Sequence, residues 1–376
     1  VQRPPEWIEL RRVFMASPGS LSRHDLEAEV LRLRECVATS RKREQRSLAN
    51  LSRNVRQLWL PEKVERRPAS SVSALEFARD YVAASRPLVM TEMSADDWPC
   101  LGLWREDSYL LSTVGDSEVS VNVTPDGRAD SVDTNGNFVK PCEETLRFHE
   151  FWSWLLLKDT AGREGIPYLS RQNDSLRDEF PQLMRDIPDA VPIAIDAFGT
   201  EPDAVNLWIG DERSVSSCHK DPYENLYLVV RGEKVFTLFP PAAAPFFHER
   251  LCPPATYQRC GASGLKAVLD EEFQLEAHPS SSVPWIPFDV AERADPEAFP
   301  DFERHGRRLS VEVRIRPGEM LYLPATWYHR VAQEGITIAV NYWHDMQYGH
   351  GFILHQFLRD VCGMDDGESD DSSMEE

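Results

Sequence analysis

At 376 residues, with 41% hydrophobic and 10% aromatic side chains, the chain can bury a full core and is too apolar to be disordered. Its 41 basic and 62 acidic residues leave a formal charge of −21, which argues against general binding to nucleic acid or anionic membranes and suits a cationic partner. Seven cysteines (36, 100, 142, 218, 252, 260 and 362) form an odd set with no CxxC pair, so a reducing location is expected, the cytoplasm and also the nucleus. No apolar run approaches the roughly 18 residues of a membrane span and no signal peptide is visible, so a soluble protein is expected. A start on Val1 rather than Met is compatible with a longer native N-terminus.

Residues 1–70 read as a helical extension. Between Arg23 and Arg67 stand 12 basic and 7 acidic residues. Leu26, Val30, Leu33 and Val37, then Leu48, Leu51, Val55 and Leu58, keep the spacings of three and four that mark one helix stripe, interrupted at Arg41 and Glu44. This predicts a long or broken amphipathic helix packed on its own domain, with a second copy of the chain as the other candidate partner. "RKREQR" at 41–46 reads as a solvated helix face in preference to a nuclear-import patch.

After "LPEKVERRPASS" the chain alternates, and 71–200 reads as an α/β part of the catalytic domain. "SALEFARDYVAA" is helix-like and leads to the strand "PLVMT"; "EVSVNVTPDG" is a strand and turn, and "TLRFHEFWSWLLL" an apolar-faced helix. From about 204, "AVNLWIG", "NLYLVV", "EKVFTLF", "LSVEVRI", "EMLYLP", "YHRVAQ" and "ITIAVNYW" are short β-rich runs with Pro and Gly turns, the pattern of a sandwich or barrel. "GFILHQFLRDV" at 351–361 reads as a closing helix, so 201–362 forms one unit. "DDGESDDSSMEE" at 365–376 has seven acids and no base, which makes 363–376 a disordered acidic tail.

Within the β-rich part, "SSCHKDPYENLY" at 216–227 places costly polar groups between buried strands. Side chains at i and i+2 of an extended segment point the same way, so His219 and Asp221 can offer an imidazole and a carboxylate to one point. "PGEMLYLPATWYHRV" supplies a further imidazole, His329. Two His and one carboxylate on one face of a metal leave its other positions open, the arrangement of non-haem Fe(II) oxygenases. Lys234 stands among Val235, Phe236, Leu238 and Phe239, where a solvated, outward-facing lysine is the ordinary reading. Asn225, Tyr227 and Val229 share a strand face; if that face points inward, the polar pair needs a polar ligand. An oxo-diacid would satisfy it, with one end on the metal and the far carboxylate on Lys234.

Other chemistry finds little support. His344, His350 and His355 lack the spacing of one helix face. His149-Glu150 and His248-Glu249 lack the second His of HExxH, and neither a Gly-rich phosphate loop nor a GxSxG elbow is present.

The spacing of His219, Asp221, Lys234 and His329, with "NLWIG" before and "AVNYWHDM" after, resembles the JmjC family of Fe(II) and 2-oxoglutarate oxygenases. "EVSVNVTPDGRADSV", "HKDPYENLY", "PPATYQ", "VPWIP" and "GEMLYLPATWYHRV" resemble its lysyl hydroxylase members, over roughly 70–355. The resemblance implies an α+β fold: a double-stranded β-helix (jelly-roll, cupin-like) core with flanking N-terminal α/β elements and a C-terminal helix. It implies His219, Asp221 and His329 as iron ligands and catalytic residues, and Lys234 on the distal carboxylate of 2-oxoglutarate. Tyr168, Ser216, Asn225, Tyr227 and Asn341 would complete the co-substrate pocket. Cys218, where such relatives carry Leu, and Pro222 are departures; Pro222 biases Asp221 to an extended conformation, which is compatible with ligation.

With Fe(II), 2-oxoglutarate and O2, the implied reaction is C-3 hydroxylation of a lysyl residue in a protein, by resemblance a developmentally regulated, translation-associated GTPase. No direct contact with nucleic acid or membrane is expected. The alternatives are a JmjC histone lysine demethylase or histone-tail peptidase, and a non-enzymatic cupin-like metal-binding scaffold. Tyr223, Glu224 and Trp327 are expected at the metal entrance, with Glu224 as partner of the substrate ammonium. The stripe from Leu26 to Leu58 and the helix around Phe352 and Phe357 predict a homodimer.

Overall fold

The computed structural model describes residues 23–158, 163–260, 264–270 and 282–361. Residues 1–22 and the acidic tail, and with them the expectation of disorder at 363–376, lie outside the described residues.

The basic segment forms one continuous helix, Arg23–Asn54, which runs through Arg41 and Glu44 without a break. Its C-terminal half meets the body of the protein: Leu48 and Leu51 pack on the core and Val55 is buried, while the Ser52 hydroxyl donates to the His305 carbonyl at 3.0 Å. Val30, Leu33 and Val37 stay partly exposed. The stripe fails at Leu58, which is 76% exposed. Residues Val55–Trp59 form a π turn, whose wider winding rotates the face and gives Leu58's place to Trp59. Trp59 donates from its indole N–H to the Ala84 carbonyl at 3.0 Å and meets Trp327 edge-on at 5.9 Å.

The centre of the fold is a double-stranded β-helix built on two long strands, Tyr223–Phe239 and Tyr328–Asp345. The sequence reads each as two shorter runs, because Gly232 and Gly335 look like turns. Instead both strands pass through. The first half of Tyr223–Phe239 pairs with Glu319–Leu323 and the second half with Val311–Ile315. Register shifts at Val229–Glu233 carry it from one sheet to the other. Gly232 has φ 70° there, and a Cβ would stand 2.5 Å from the Ile336 carbonyl oxygen. Tyr328–Asp345 makes the same crossing, pairing with Val215–His219 at its start and Ala204–Gly210 at its end.

Alternation along Tyr223–Phe239 then divides two cores. Tyr227 and Val229 face the barrel interior with Trp208 and Phe236. Leu226, Leu228 and Val230 face the other way and pack with Phe77, Trp104, Trp152 and Tyr322, which belong to the layer outside the sheet. Leu88–Thr91 extends the sheet by pairing with Glu319–Leu323. A separate three-stranded sheet centres on Glu118–Thr124 and carries Tyr168 at the end of Ile166–Tyr168. The helix expected over "TLRFHEFWSWLLL" begins only at Phe148. Residues 145–147 belong to the strand Cys142–Arg147, and Glu150 accepts from the Arg147 N–H at 3.0 Å to start the helix. The closing helix spans His350–Val361. No helix among the described residues is long and apolar enough to cross a membrane.

Candidate active site

His219 ends the strand Val215–His219 and lies directly opposite His329 in the ladder. Asp221 follows two residues later, and its carbonyl accepts from the Thr326 N–H at 2.9 Å, which ties it to the turn before His329. The Asp221 Oδ2 lies 3.8 Å from His219 Nε2 and 3.5 Å from His329 Nε2. Among the described residues, these three donors form the cluster that could hold a metal ion.

Both imidazoles are oriented by their own strands. His219 Nδ1 contacts the Ser217 carbonyl at 2.7 Å and His329 Nδ1 the Trp327 carbonyl at 3.0 Å. Nδ1–H donation to these carbonyls leaves each Nε2 lone pair facing Asp221. Burial, aided by neighbouring His219, pushes His329 down to about 4, so its ring is neutral and available as a ligand at physiological pH. The donor set fits a divalent transition metal with open positions.

These residues line a cavity of about 290 Å³ together with Tyr168, Ser216, Asn225, Tyr227 and Asn341. Its polar groups are linked: the Trp208 indole N–H donates to Asn341 Oδ1 at 2.7 Å, and Asn341 Nδ2 to Asn225 Oδ1 at 3.1 Å. Tyr168 and Ser216 stand together in this lining. Lys234 stands behind this wall, 1% exposed, so the solvated-lysine reading fails. Its ammonium donates to the Tyr168 hydroxyl at 3.0 Å and to Gln333 Oε1. No carboxylate pairs with it among the described residues, and burial brings its pKa down to about 7. A buried lysine without an anion is costly until one binds.

The expectation for Glu224 and Trp327 is corrected, since neither lines this cavity. Glu224 precedes Asn225 in the same strand and therefore points to the opposite face. It accepts from the Tyr322 hydroxyl at 2.7 Å and the Ala325 N–H at 3.2 Å. Trp327 is buried and donates to Ser85 at 3.1 Å, while Tyr223 stacks on Trp343 at 4.7 Å. Cys218 is buried in the apolar cluster that includes Tyr328 and Phe247, where it replaces one apolar side chain by another. His344 and His355 are buried; His344 packs on Phe198 at 4.9 Å, and His355 meets the Tyr328 hydroxyl at 3.3 Å.

Several residues of the site escape the sequence reading. Gln333 shares the parity of His329 and Val331, a signal present in "YHRVAQ". Trp208 is equally readable within "NLWIG". Asp130 and Trp285, which also line the cavity, come from segments remote in sequence, where no periodicity points to them.

Comparison with known proteins agrees with this geometry. A family model described as "Cupin-like domain" matches residues 73–350. The Homo sapiens protein named bifunctional peptidase and (3S)-lysyl hydroxylase JMJD7 is 41% identical over 286 residues, covering 76% of this chain and 85% of its own. JmjC domain-containing protein E of Dictyostelium discoideum is 37% identical, covering 77% and 86%. Lysine-specific demethylase JMJ32 of Arabidopsis thaliana is 36% identical, covering 84% and 91%. With a paired-histidine and aspartate centre in a double-stranded β-helix and relatives of this kind along most of its length, the chain belongs to the JmjC proteins of the cupin-like domain family.

Proposed function

We propose that this chain is an Fe(II)- and 2-oxoglutarate-dependent oxygenase that hydroxylates a lysyl residue of a protein at C-3. One observation carries the co-substrate assignment: a buried lysine ammonium with no carboxylate partner stands behind the wall of a cavity that also holds two His and one Asp. In this reading His219, Asp221 and His329 hold the iron. Lys234 and Tyr168 take the far carboxylate of 2-oxoglutarate, and Ser216, Asn225, Tyr227 and Asn341 fix its body. Bound iron supplies activation of O2 for attack on an unactivated C–H bond while 2-oxoglutarate is converted to succinate and CO2. The protein's part is to fix the donor atoms, keep His329 neutral and exclude bulk water from the cavity.

The choice of lysine rests on the name of the human relative and on the motif resemblance. The proposed partner, a developmentally regulated, translation-associated GTPase, rests on that resemblance alone. We place the protein in the cytoplasm and also the nucleus, as a homodimer. Residues 201–362 form the proposed catalytic unit, with 71–200 as its flanking α/β part. Intact-mass analysis of candidate substrates with Fe(II), 2-oxoglutarate and ascorbate tests the activity: gain of one oxygen on an unmethylated lysine, with succinate and no formaldehyde, is the expected result.

A second reading, lysine demethylation, is favoured by the name of the Arabidopsis relative. It predicts loss of a methyl group from a methyl-lysine peptide with release of formaldehyde. Cleavage of the peptide chain would instead indicate a peptidase, and absence of succinate a non-catalytic metal-binding scaffold.

A further inference from the structure

Asp130 follows the short strand Arg128–Ala129, which pairs in parallel with the metal-bearing strand through Val215 and Ser216. The Asp130 carbonyl accepts from the Ser217 hydroxyl, two residues before His219. This fixes the loop against the candidate metal centre, with Asp130 at a left-handed φ of 50°. Asp130 lines the same cavity as His219, Asp221 and His329, and its carboxylate is within electrostatic reach of His219.

No hydrogen bond or salt bridge joins the Asp130 carboxylate to another described residue. His219 and Lys140 attract it only from a distance, and Lys140 is paired with Asp270 at 2.7 Å. Enclosure by the protein raises its pKa. A carboxylate held this way is disfavoured in its charged form until a cation reaches it.

Trp285 lines the same cavity. Its ring is stacked with the His219 imidazole at 6.3 Å and 7°. Its indole N–H donates at 3.1 Å to the same Ser217 hydroxyl that holds the Asp130 loop. One hydroxyl thus fixes both an aromatic face and an unpartnered carboxylate next to the metal ligands. An aromatic face packs well on a methylene stem, and a carboxylate terminates such a stem when it ends in an ammonium.

We infer that Asp130 receives the ammonium of the substrate lysine, with Trp285 flanking its methylenes, so that this pair selects a cationic side chain. The inference rests on the lysyl reading above and supplies the ammonium partner that Glu224 cannot be.

The full-length chain, loaded with Zn(II) as a diamagnetic stand-in and with 2-oxoglutarate, can be titrated by ligand-observed NMR. The probes are Nα-acetyl-lysine methylamide and its norleucine and arginine counterparts. Wild type should bind the lysine probe at least about tenfold more tightly than norleucine, the effect of one charge-assisted bond. Asp130→Asn should erase that preference while norleucine and 2-oxoglutarate affinities stay within about twofold. Asparagine tolerates the left-handed backbone, and retained 2-oxoglutarate binding verifies the fold. A lysine preference that survives in Asp130→Asn overturns the assignment and leaves the lysyl reading standing, while no preference in wild type removes the cation seat. Preference for arginine, lost in Asp130→Asn, would keep the seat and refute the lysyl reading.

Discussion

Lys220, placed between His219 and Asp221, reaches Glu249 at 3.5 Å with its ammonium. The same carboxylate lies 3.3 Å from Arg359 of the closing helix, with both side chains buried. It also interacts with Tyr328, the neighbour of His329, whose ring lies 5.2 Å from the Lys220 ammonium. Strand alternation explains the arrangement: residues 220 and 328 alternate with 219, 221 and 329.

Glu249 is therefore expected to hold the metal-bearing segments in place from outside. Glu249→Gln should weaken Mn(II) binding, read from the electron-paramagnetic signal of free Mn(II), by about tenfold or more. A control core variant such as Leu155→Ala should lower thermal stability without that change. Equal Mn(II) affinity in wild type and Glu249→Gln would reduce the network to helix docking.

Asp221 is the single anionic donor of the cluster. Asp221→Ala should abolish Mn(II) binding and succinate formation and leave the circular dichroism spectrum unchanged. Turnover at the wild-type rate would remove the metal assignment.

Lys234→Ala should raise the 2-oxoglutarate KM by about tenfold or more, since a charge-assisted bond of roughly 1.5–3 kcal/mol is lost. An unchanged KM would mean that the ammonium serves only Tyr168 and Gln333.

The same lysine gives the co-substrate affinity a pH dependence. Burial lowers the free-state pKa of Lys234 to about 7, and a dicarboxylate binds its charged form. Below about pH 7 the ammonium is already charged and the 2-oxoglutarate Kd should be flat. Above it binding must take up a proton, so Kd should rise by up to about tenfold per pH unit. Calorimetry in buffers of different ionisation enthalpy checks the proton uptake directly, and a Kd that falls as pH rises would reverse the sign.

Ile353, Leu354 and Phe357 on the closing helix are 64%, 55% and 58% exposed, and the outer half of the N-terminal helix keeps Val30, Leu33 and Val37 partly exposed. A homodimer covering these faces should appear in light scattering at micromolar concentration, and Phe357→Asp should shift it toward monomer. A wild-type monomer would leave both faces without this partner.

The local chemistry was legible in the residues themselves. The i, i+2 spacing of His219 and Asp221 follows from an extended backbone, as does the shared face of Asn225 and Tyr227, and the long runs of Val, Ile, Leu and Tyr announce the barrel. Alternation, however, gives only relative orientation. It says that Glu224 and Asn225 face opposite ways and does not say which of them faces in, so Glu224 could be misplaced beside the metal. Tertiary structure decided that by packing Leu226 and Leu228 against the outer aromatic layer, which turns Asn225 and Tyr227 inward. It also decided the fate of Lys234, whose strand crosses between sheets at Gly232 and brings a charge of unremarkable local sequence behind Tyr168. Asp130 and Trp285 come to one cavity from segments that both bond Ser217, and contacts closed across more than sixty residues leave no periodic trace in the chain.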